Sequence, residues 1–188
     1  MPSILLEPPE LEPLTLDEAK AYLRVEHSDE DEAIAALIAA ARLHVEAQTR
    51  RALITQTWRL SLDAWPESGR IAVRPAPLQS LVAARVYDGA NVAQALDTQA
   101  FVADTADSSL IFAPWSVTQP ERAASGIALD VVCGYGDTAL AVPEALRQAI
   151  RILLAHWYEH RGLVAAGVNA PLPVSVSALI APYRMVSL

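Results

Sequence analysis

The chain has 188 residues, of which 53% are hydrophobic and only 7 are glycine. This length and apolar content suit one domain or two small ones with a real core, and they exclude a mostly disordered chain. The single cysteine, Cys133, excludes a disulfide framework and is typical of a reducing compartment. Its simplest interpretation is a small buried hydrophobic side chain.

The formal net charge of −8 originates in the first part of the chain. Residues 1–32 contain 10 acidic and 2 basic residues, whereas residues 33–188 contain 12 of each. No stripe of Lys and Arg that could contact duplex phosphates is visible, so specific nucleic-acid binding is not expected. One uncharged stretch, residues 162–183, is long enough to span a membrane, but three prolines interrupt it. It therefore predicts an apolar tail and no membrane segment.

The first quarter of the chain predicts an extended arm followed by two helices. Residues 1–14 are acidic and rich in proline, which favours an extended arm. The residues from Thr15 to Glu18 have the form of a capping box, so a short helix is expected to begin there. A second helix is predicted from the acidic run at 28–32 to about Thr49, because the helix dipole favours acids in the first turn. Its flanks are small, and small flanks let another helix approach closely: Ala35, Ala36, Ala39 and Ala40.

The helical pattern then gives way to short alternating or β-branched runs interrupted by Pro, Gly, Asp and Asn. These runs predict strands of a small antiparallel sheet near residues 58–62, 71–73, 81–87, 101–103, 110–112 and 127–133. Pro143 opens the strongest helical signal in the chain, with a broad apolar face. The predicted fold class is therefore α+β. A helical bundle of residues 15–52 and 142–162 carries an inserted β region, 53–141, and an extended C-terminal tail, 163–188.

The segment from His156 to His160, His-Trp-Tyr-Glu-His, matches the H-x-x-E-H string of inverted zinc peptidases. No acidic residue follows Glu159 to supply the usual third ligand, so the polar flank of a packed helix is the simpler interpretation. The glycines at 134 and 136 are too few for a phosphate-binding loop, and no nucleophile elbow occurs. The sequence thus predicts no catalytic residues, no metal and no cofactor. A zinc metallohydrolase that uses His156 and His160 is the enzymatic alternative.

The tail from residue 163 onward contains no Asp or Glu and is strongly apolar. An apolar segment left in water favours association, so the tail is expected to dock on a partner. The alternative is that it packs back on its own domain. The expected partner contacts are Val174, Val176, Leu179, Ile180, Tyr183 and Arg184.

The order of these features resembles the head-tail connector, or adaptor, family of long-tailed phages and related gene-transfer particles. The resemblance covers roughly residues 14–162 and is carried by segments 14–24, 29–32, 52–58, 135–137, 142–150 and 156–161. It implies a non-enzymatic ring subunit, beneath the portal, that joins the DNA-filled head to the tail. It also implies a helical bundle, a twelvefold ring and a C-terminal tail that reaches into the portal.

The implied partners are the portal protein, a stopper or tail-completion protein, and further copies of the chain. DNA would pass through the lumen without specific binding, and the subunit would be cytoplasmic during assembly before it joins the neck of the particle. A ring requires two different complementary faces on each subunit. The predicted subunit interface consists of Ala35, Ala36, Ala39, Arg42, Arg50 and Arg51, with the arginines facing acids of a neighbour's N-terminal segment. Another neck component, such as a stopper, is the structural alternative.

Overall fold

The computed structural model describes residues 2–106, 109–160 and 173–185. It divides into two compact units, each built from two separate stretches of chain. The first, here called the β unit, comprises Met1–Pro9 and Thr55–Tyr135. The second, here called the helical unit, comprises Glu10–Ile54 and Gly136–Leu188. Helices and antiparallel sheets are both present, so the predicted α+β class is confirmed.

The β unit contains a five-stranded sheet. Its strands are β1 (Ser3–Glu7), β2 (Gln56–Leu62), β4 (Leu78–Tyr87), β5 (Ala93–Leu96) and β8 (Ile127–Cys133). They pair antiparallel in the order β1-β2-β8-β4-β5. A second antiparallel sheet consists of β3 (Arg70–Ala72), β7 (Leu110–Phe112) and β6 (Val102–Asp104), in that order. Every residue of β8 except Val132 is buried, as expected for the central strand.

Alternation along the strands builds the core of the β unit. Leu60 and Ala84 both lie opposite Leu129, and Val86 lies opposite Ile127, so these apolar side chains share one face of the sheet. All five are buried. Arg59 is adjacent to Leu60 in β2, and Asp130 is adjacent to Leu129 in β8, so these two side chains point to the other face of the sheet.

The helical unit contains α1 (Leu16–Leu23), α2 (Asp31–Thr49), α3 (Glu144–Glu159) and α4 (Val174–Ile180). The predicted capping box is present: the Glu18 amide donates to the Thr15 hydroxyl at 3.2 Å, and the Thr15 amide donates to a Glu18 carboxylate oxygen at 2.9 Å. Both longer helices direct their apolar stripes inward. Their fully buried side chains include Ile34, Ile38, Val45, Leu146, Ile150, Leu153 and Leu154.

The N-terminus differs from the predicted extended arm. Residues 3–7 are extended, but they pair with β2 as an edge strand of the sheet. Of the four prolines that suggested an arm, Pro2, Pro8 and Pro9 lie just outside this strand and Pro13 lies further along the chain, so none removes a ladder hydrogen bond. The short strand β5 was also not predicted.

The C-terminal tail also differs from the prediction over its described part. Residues 173–185 are not extended, because α4 packs against α2 and α3 and is followed by a 3-10 turn. Residues 163–172 and 186–188 of the predicted tail, and the predicted helix end at 161–162, lie outside the described residues. Among the residues described, no helix is long and apolar enough to cross a membrane.

Candidate docking and subunit-interface surfaces

Helix α2 presents a small, apolar face to solvent. Ala35 and Ala36 are exposed and Ala39 is half-buried, so the predicted small flanks are at least partly accessible. Exposed residues recur along the helix at spacings of three and four: Ala33, Ala36, Ala40, Leu43 and Ala47. Leu43 is 56% exposed at the middle of this stripe. The opposite face of α2 is buried in the helical unit.

Arg42, one of the predicted subunit-interface residues, is bound within its own helical unit, which does not favour its contact with a neighbouring subunit. Its Nε donates to Glu12 at 2.7 Å and its Nη1 donates to Glu46 at 2.8 Å, both within the same helical unit. The side chain is buried. Burial opposes the charged form, but the two carboxylates outweigh it and raise the pKa of Arg42. The residue therefore fastens the segment before α1 to α2.

The other two predicted arginines follow α2 directly. Arg50 is exposed and caps the helix in the left-handed conformation, with φ of 57°. Arg51 is half-buried, and its Nε donates to the Tyr183 carbonyl at 2.7 Å. Arg50 is therefore the more accessible of the two, whereas Arg51 holds the C-terminal segment of its own chain.

The six predicted tail contacts fall into two groups. Val174 is 84% exposed and Arg184 is exposed, while Leu179 and Tyr183 are half-buried. Val176 and Ile180 are each 1% exposed, because they form the side of α4 that packs on the helical unit. In this conformation the helical unit covers these two side chains, so they are not part of the exposed side of α4. The Met185 amide also donates to the Thr49 carbonyl at 3.2 Å, which fixes the segment after α4 against the end of α2.

The His-Trp-Tyr-Glu-His segment forms the last turn of α3. The rings of His156 and His160 lie 4.5 Å apart between centroids, but His160 Nδ1 is only 2.8 Å from the His156 carbonyl oxygen. Tyr158 donates a hydrogen bond to Glu30, and the Trp157 ring packs edge-on against His44. Within residues 2–106, 109–160 and 173–185, no third His, Cys, Asp or Glu joins these histidines in a group that could hold a metal. The segment is thus built into helix packing.

The β sheet carries an ion cluster that was not predicted from the sequence. Asp130 accepts from Arg59 Nε and Nη2 at 2.7 and 2.9 Å, and from Arg85 Nη1 at 2.7 Å. The hydrogen bonds from Arg59 are the largest of the causes that lower the pKa of Asp130, against the opposing effect of burial. A signal was present, because Asp130 interrupts an otherwise apolar central strand and so requires a cationic partner.

A second missed cluster lies in the helical unit around Arg147, which is almost completely buried. Its Nε donates to the Pro13 carbonyl at 3.0 Å, its Nη2 to Glu18 at 2.8 Å and its Nη1 to Glu144 at 3.1 Å. One guanidinium thus joins the segment before α1, the first turn of α1 and the first turn of α3. In both clusters the arginines and carboxylates are bound to groups of their own unit, so both clusters stabilise the fold.

The chain is similar to head-tail connector proteins and to chains of gene transfer agent particles. The sequence profile described as Phage gp6-like head-tail connector protein matches residues 13–110. A solved chain in the virion of a native gene transfer agent particle is 26% identical, with a TM-score of 0.82 over 100% of this chain and 97% of that one. A chain in the neck of a native gene transfer agent particle, computed with C12 symmetry, is 25% identical, with a TM-score of 0.75 over 98% and 97%. A chain in the neck of an empty particle, computed with C6 symmetry, is 24% identical, with a TM-score of 0.81 over 100% and 97%.

No curated protein matches the sequence. The profile match covers more than half of the chain and includes α1, α2 and strands β2 to β6. The chain belongs to the Phage gp6-like head-tail connector protein family.

Proposed function

We propose that this chain is the subunit of a structural ring in the neck of a phage-like particle, beneath the portal, where it joins the DNA-filled head to the tail. The observation that carries the proposal is the agreement between the connector profile and the likeness of the whole chain to chains of gene transfer agent particles at 25–26% identity. The C12 symmetry of a related neck supports a ring of twelve copies. The role is structural and needs no cofactor. The subunit would be made in the cytoplasm and then incorporated into the neck.

The exposed face of α2 supports the ring contact. Ala36, Ala40 and Leu43 are exposed on successive turns of α2. Together they form an apolar surface that the described residues leave open to solvent. Such a surface allows close helix packing against another subunit. Arg50 lies beyond the end of this face and is accessible to acids of a neighbour.

The exposed side of the C-terminal segment is the proposed portal contact. Val174 and Arg184 are accessible while Val176 and Ile180 hold α4 on its own unit. Replacement Val174→Asp should therefore abolish portal binding without unfolding the subunit. Unchanged portal binding by this variant would contradict the tail contact.

The function is tested by mixing the full chain with the portal ring of the same particle and with the separate stopper and tail-completion proteins. Negative-stain images and native mass measurements should show a ring of this chain on the portal. Binding only to another neck ring would identify a different neck component, and the absence of any assembly would contradict the proposal. Elemental analysis of the purified chain should find no stoichiometric zinc; one zinc per chain, lost in His156→Ala, would favour the metallohydrolase.

A further inference from the structure

The main sheet of the β unit has two open edges. Among the described residues, β1 pairs only with β2, and β5 pairs only with β4. All five residues of β1 are exposed, with Ile4 at 58%, and three of the four residues of β5 are exposed. Neither strand contains the lysine or internal proline that commonly prevents an edge from pairing with another chain.

Hydrogen bonds at the strand ends show which backbone groups are directed outward. The Ser61 amide donates to the Pro2 carbonyl, so Pro2 and, by alternation, Ile4 face β2, while Ser3 and Leu5 face away. The Asp88 amide likewise donates to the Val92 carbonyl, so Gln94 faces β4 while Ala93 and Ala95 face away. Each edge therefore has two alternate residues whose backbone amides and carbonyls point away from the sheet, Ser3 and Leu5 in β1 and Ala93 and Ala95 in β5.

The directions of the strands permit these edges to join head to tail. Because every neighbouring pair in the sheet is antiparallel, β1 and β5 run in the same direction. A second copy placed edge to edge would form a parallel pair in which Leu5 lies opposite Gln94. The Leu5 amide would donate to the Ala93 carbonyl, and the Ala95 amide would donate to the Leu5 carbonyl.

The side chains of the two edges also fit one another. In their own units Leu5 lies opposite Trp58 and Gln94 opposite Val86, and both lie on the face that carries Leu60 and Leu129. On the other face, the small side chains of Ala93 and Ala95 would leave room for the larger Ile4. The contact uses two different edges of one subunit, which is the kind of contact that closes into a ring by rotation.

We propose that strand β5 of one copy adds to strand β1 of the next copy as a parallel pair, so that the two open sheet edges form a subunit contact of the ring. This inference rests on the proposed function, because its partner is a second copy of this chain. It adds a contact of the β unit to the contact proposed for α2.

Cysteine crosslinking of assembled rings tests the register. The full-length double variant Leu5→Cys/Gln94→Cys should give, on mild oxidation, a ladder of covalent oligomers on a denaturing gel, because facing residues of paired strands are within disulfide reach. The native Cys133 should not interfere, since burial raises its pKa to about 12. The matched control, Leu5→Cys/Val82→Cys, also pairs two exposed residues but places the second in β4, so it should give no ladder.

A proline variant tests the backbone contact. Leu5→Pro removes an outward amide and keeps the bonds of Ile4 to β2, so the subunit should stay folded while the fraction of chains in rings falls by about tenfold or more. Leu5→Thr keeps the amide and should form rings normally. If Leu5→Pro prevents the subunit from folding, the crosslinking of the cysteine variants tests the strand contact without it.

Two results would overturn the inference in distinguishable ways. Rings of the Leu5→Cys/Gln94→Cys variant that give no ladder on oxidation would refute the strand contact and leave the proposed function intact. Wild-type chains that form no ring, with or without the portal, would refute both.

Discussion

At the residue scale, Asp130 is a buried acidic side chain of the β unit that accepts three hydrogen bonds from Arg59 and Arg85. Replacement Asp130→Asn should lower the free energy of unfolding by about 2 kcal/mol, because it weakens three charged hydrogen bonds at a buried position. The exposed Asp137→Asn is the matched control and should change stability by less than about 0.5 kcal/mol. Urea unfolding measures both, and equal effects of the two variants would contradict the assignment.

The same cluster predicts a pH dependence. The folded pKa of Asp130 lies below its ordinary value of 3.8, so its stabilisation is complete above that pH and is lost as the pH falls through the folded pKa. Glu18 behaves in the same direction, because its bond to the Thr15 amide lowers its pKa from 4.5. Unfolding curves should therefore show stability that is flat near neutral pH and falls below about pH 4.5. The stability difference between wild type and Asp130→Asn should shrink below pH 3.8; a constant difference would contradict this prediction.

Arg147 gives a second prediction at this scale. Arg147→Leu should lower the free energy of unfolding by about 2 kcal/mol, because it leaves the buried Pro13 carbonyl without its donor while Glu18 and Glu144 regain water. Arg147→Lys should not restore stability, since one ammonium cannot reach all three acceptors. Full recovery with lysine in denaturant unfolding would show that only the charge matters.

At the element scale, substitutions in α4 measure how much the C-terminal segment stabilises the helical unit. Val176→Ala and Ile180→Ala should each lower the free energy of unfolding by about 1–3 kcal/mol, because each opens a cavity against α2 and α3. Val174→Ala, on the exposed side of the same helix, should be neutral. Deletion of residues 173–188 should destabilise the subunit for the same reason. Thermal unfolding indistinguishable from wild type would show that the tail is not needed for the fold.

The elements differ in how well the sequence predicted them. The capping box at Thr15 and the apolar stripe of α3 depend on neighbours along the chain, so the pattern was sufficient for both. Strand β1 was missed because its Ser-Ile-Leu-Leu-Glu run is exposed on both faces and shows no alternation. The docking of α4 was only the alternative prediction for the tail, because it rests on Val176 and Ile180, two side chains whose burial depends on distant helices.

The candidate surfaces were predicted less well than the elements. The exposed alanines of α2 could be predicted, because their helical spacing is visible in the sequence itself. Arg42 was assigned to a neighbour because its partner Glu12 lies thirty residues away, and no local pattern joins the two. Charged side chains thus require the fold before their partners can be named.

At the scale of the whole molecule, reversing the charge of Arg50 tests the ring contact proposed for α2. Arg50→Glu should weaken ring formation, because it places a negative charge where a neighbour's acidic segment is expected. Arg24→Glu is the matched control, since Arg24 also caps a helix in the left-handed conformation and is exposed. Native mass measurement compares the two, and equal ring yields would reject the proposed pairing.

The central position of β8 has a consequence for synthesis of the chain. Strands β2 and β4 have no common neighbour until residues 127–133 leave the ribosome, and α3 follows later still. Nascent chains that stop before residue 127 should therefore expose unpaired strands and an incomplete bundle, and should depend on chaperones. The sheet and the helical unit can therefore close only after residues 127–159 have been synthesised.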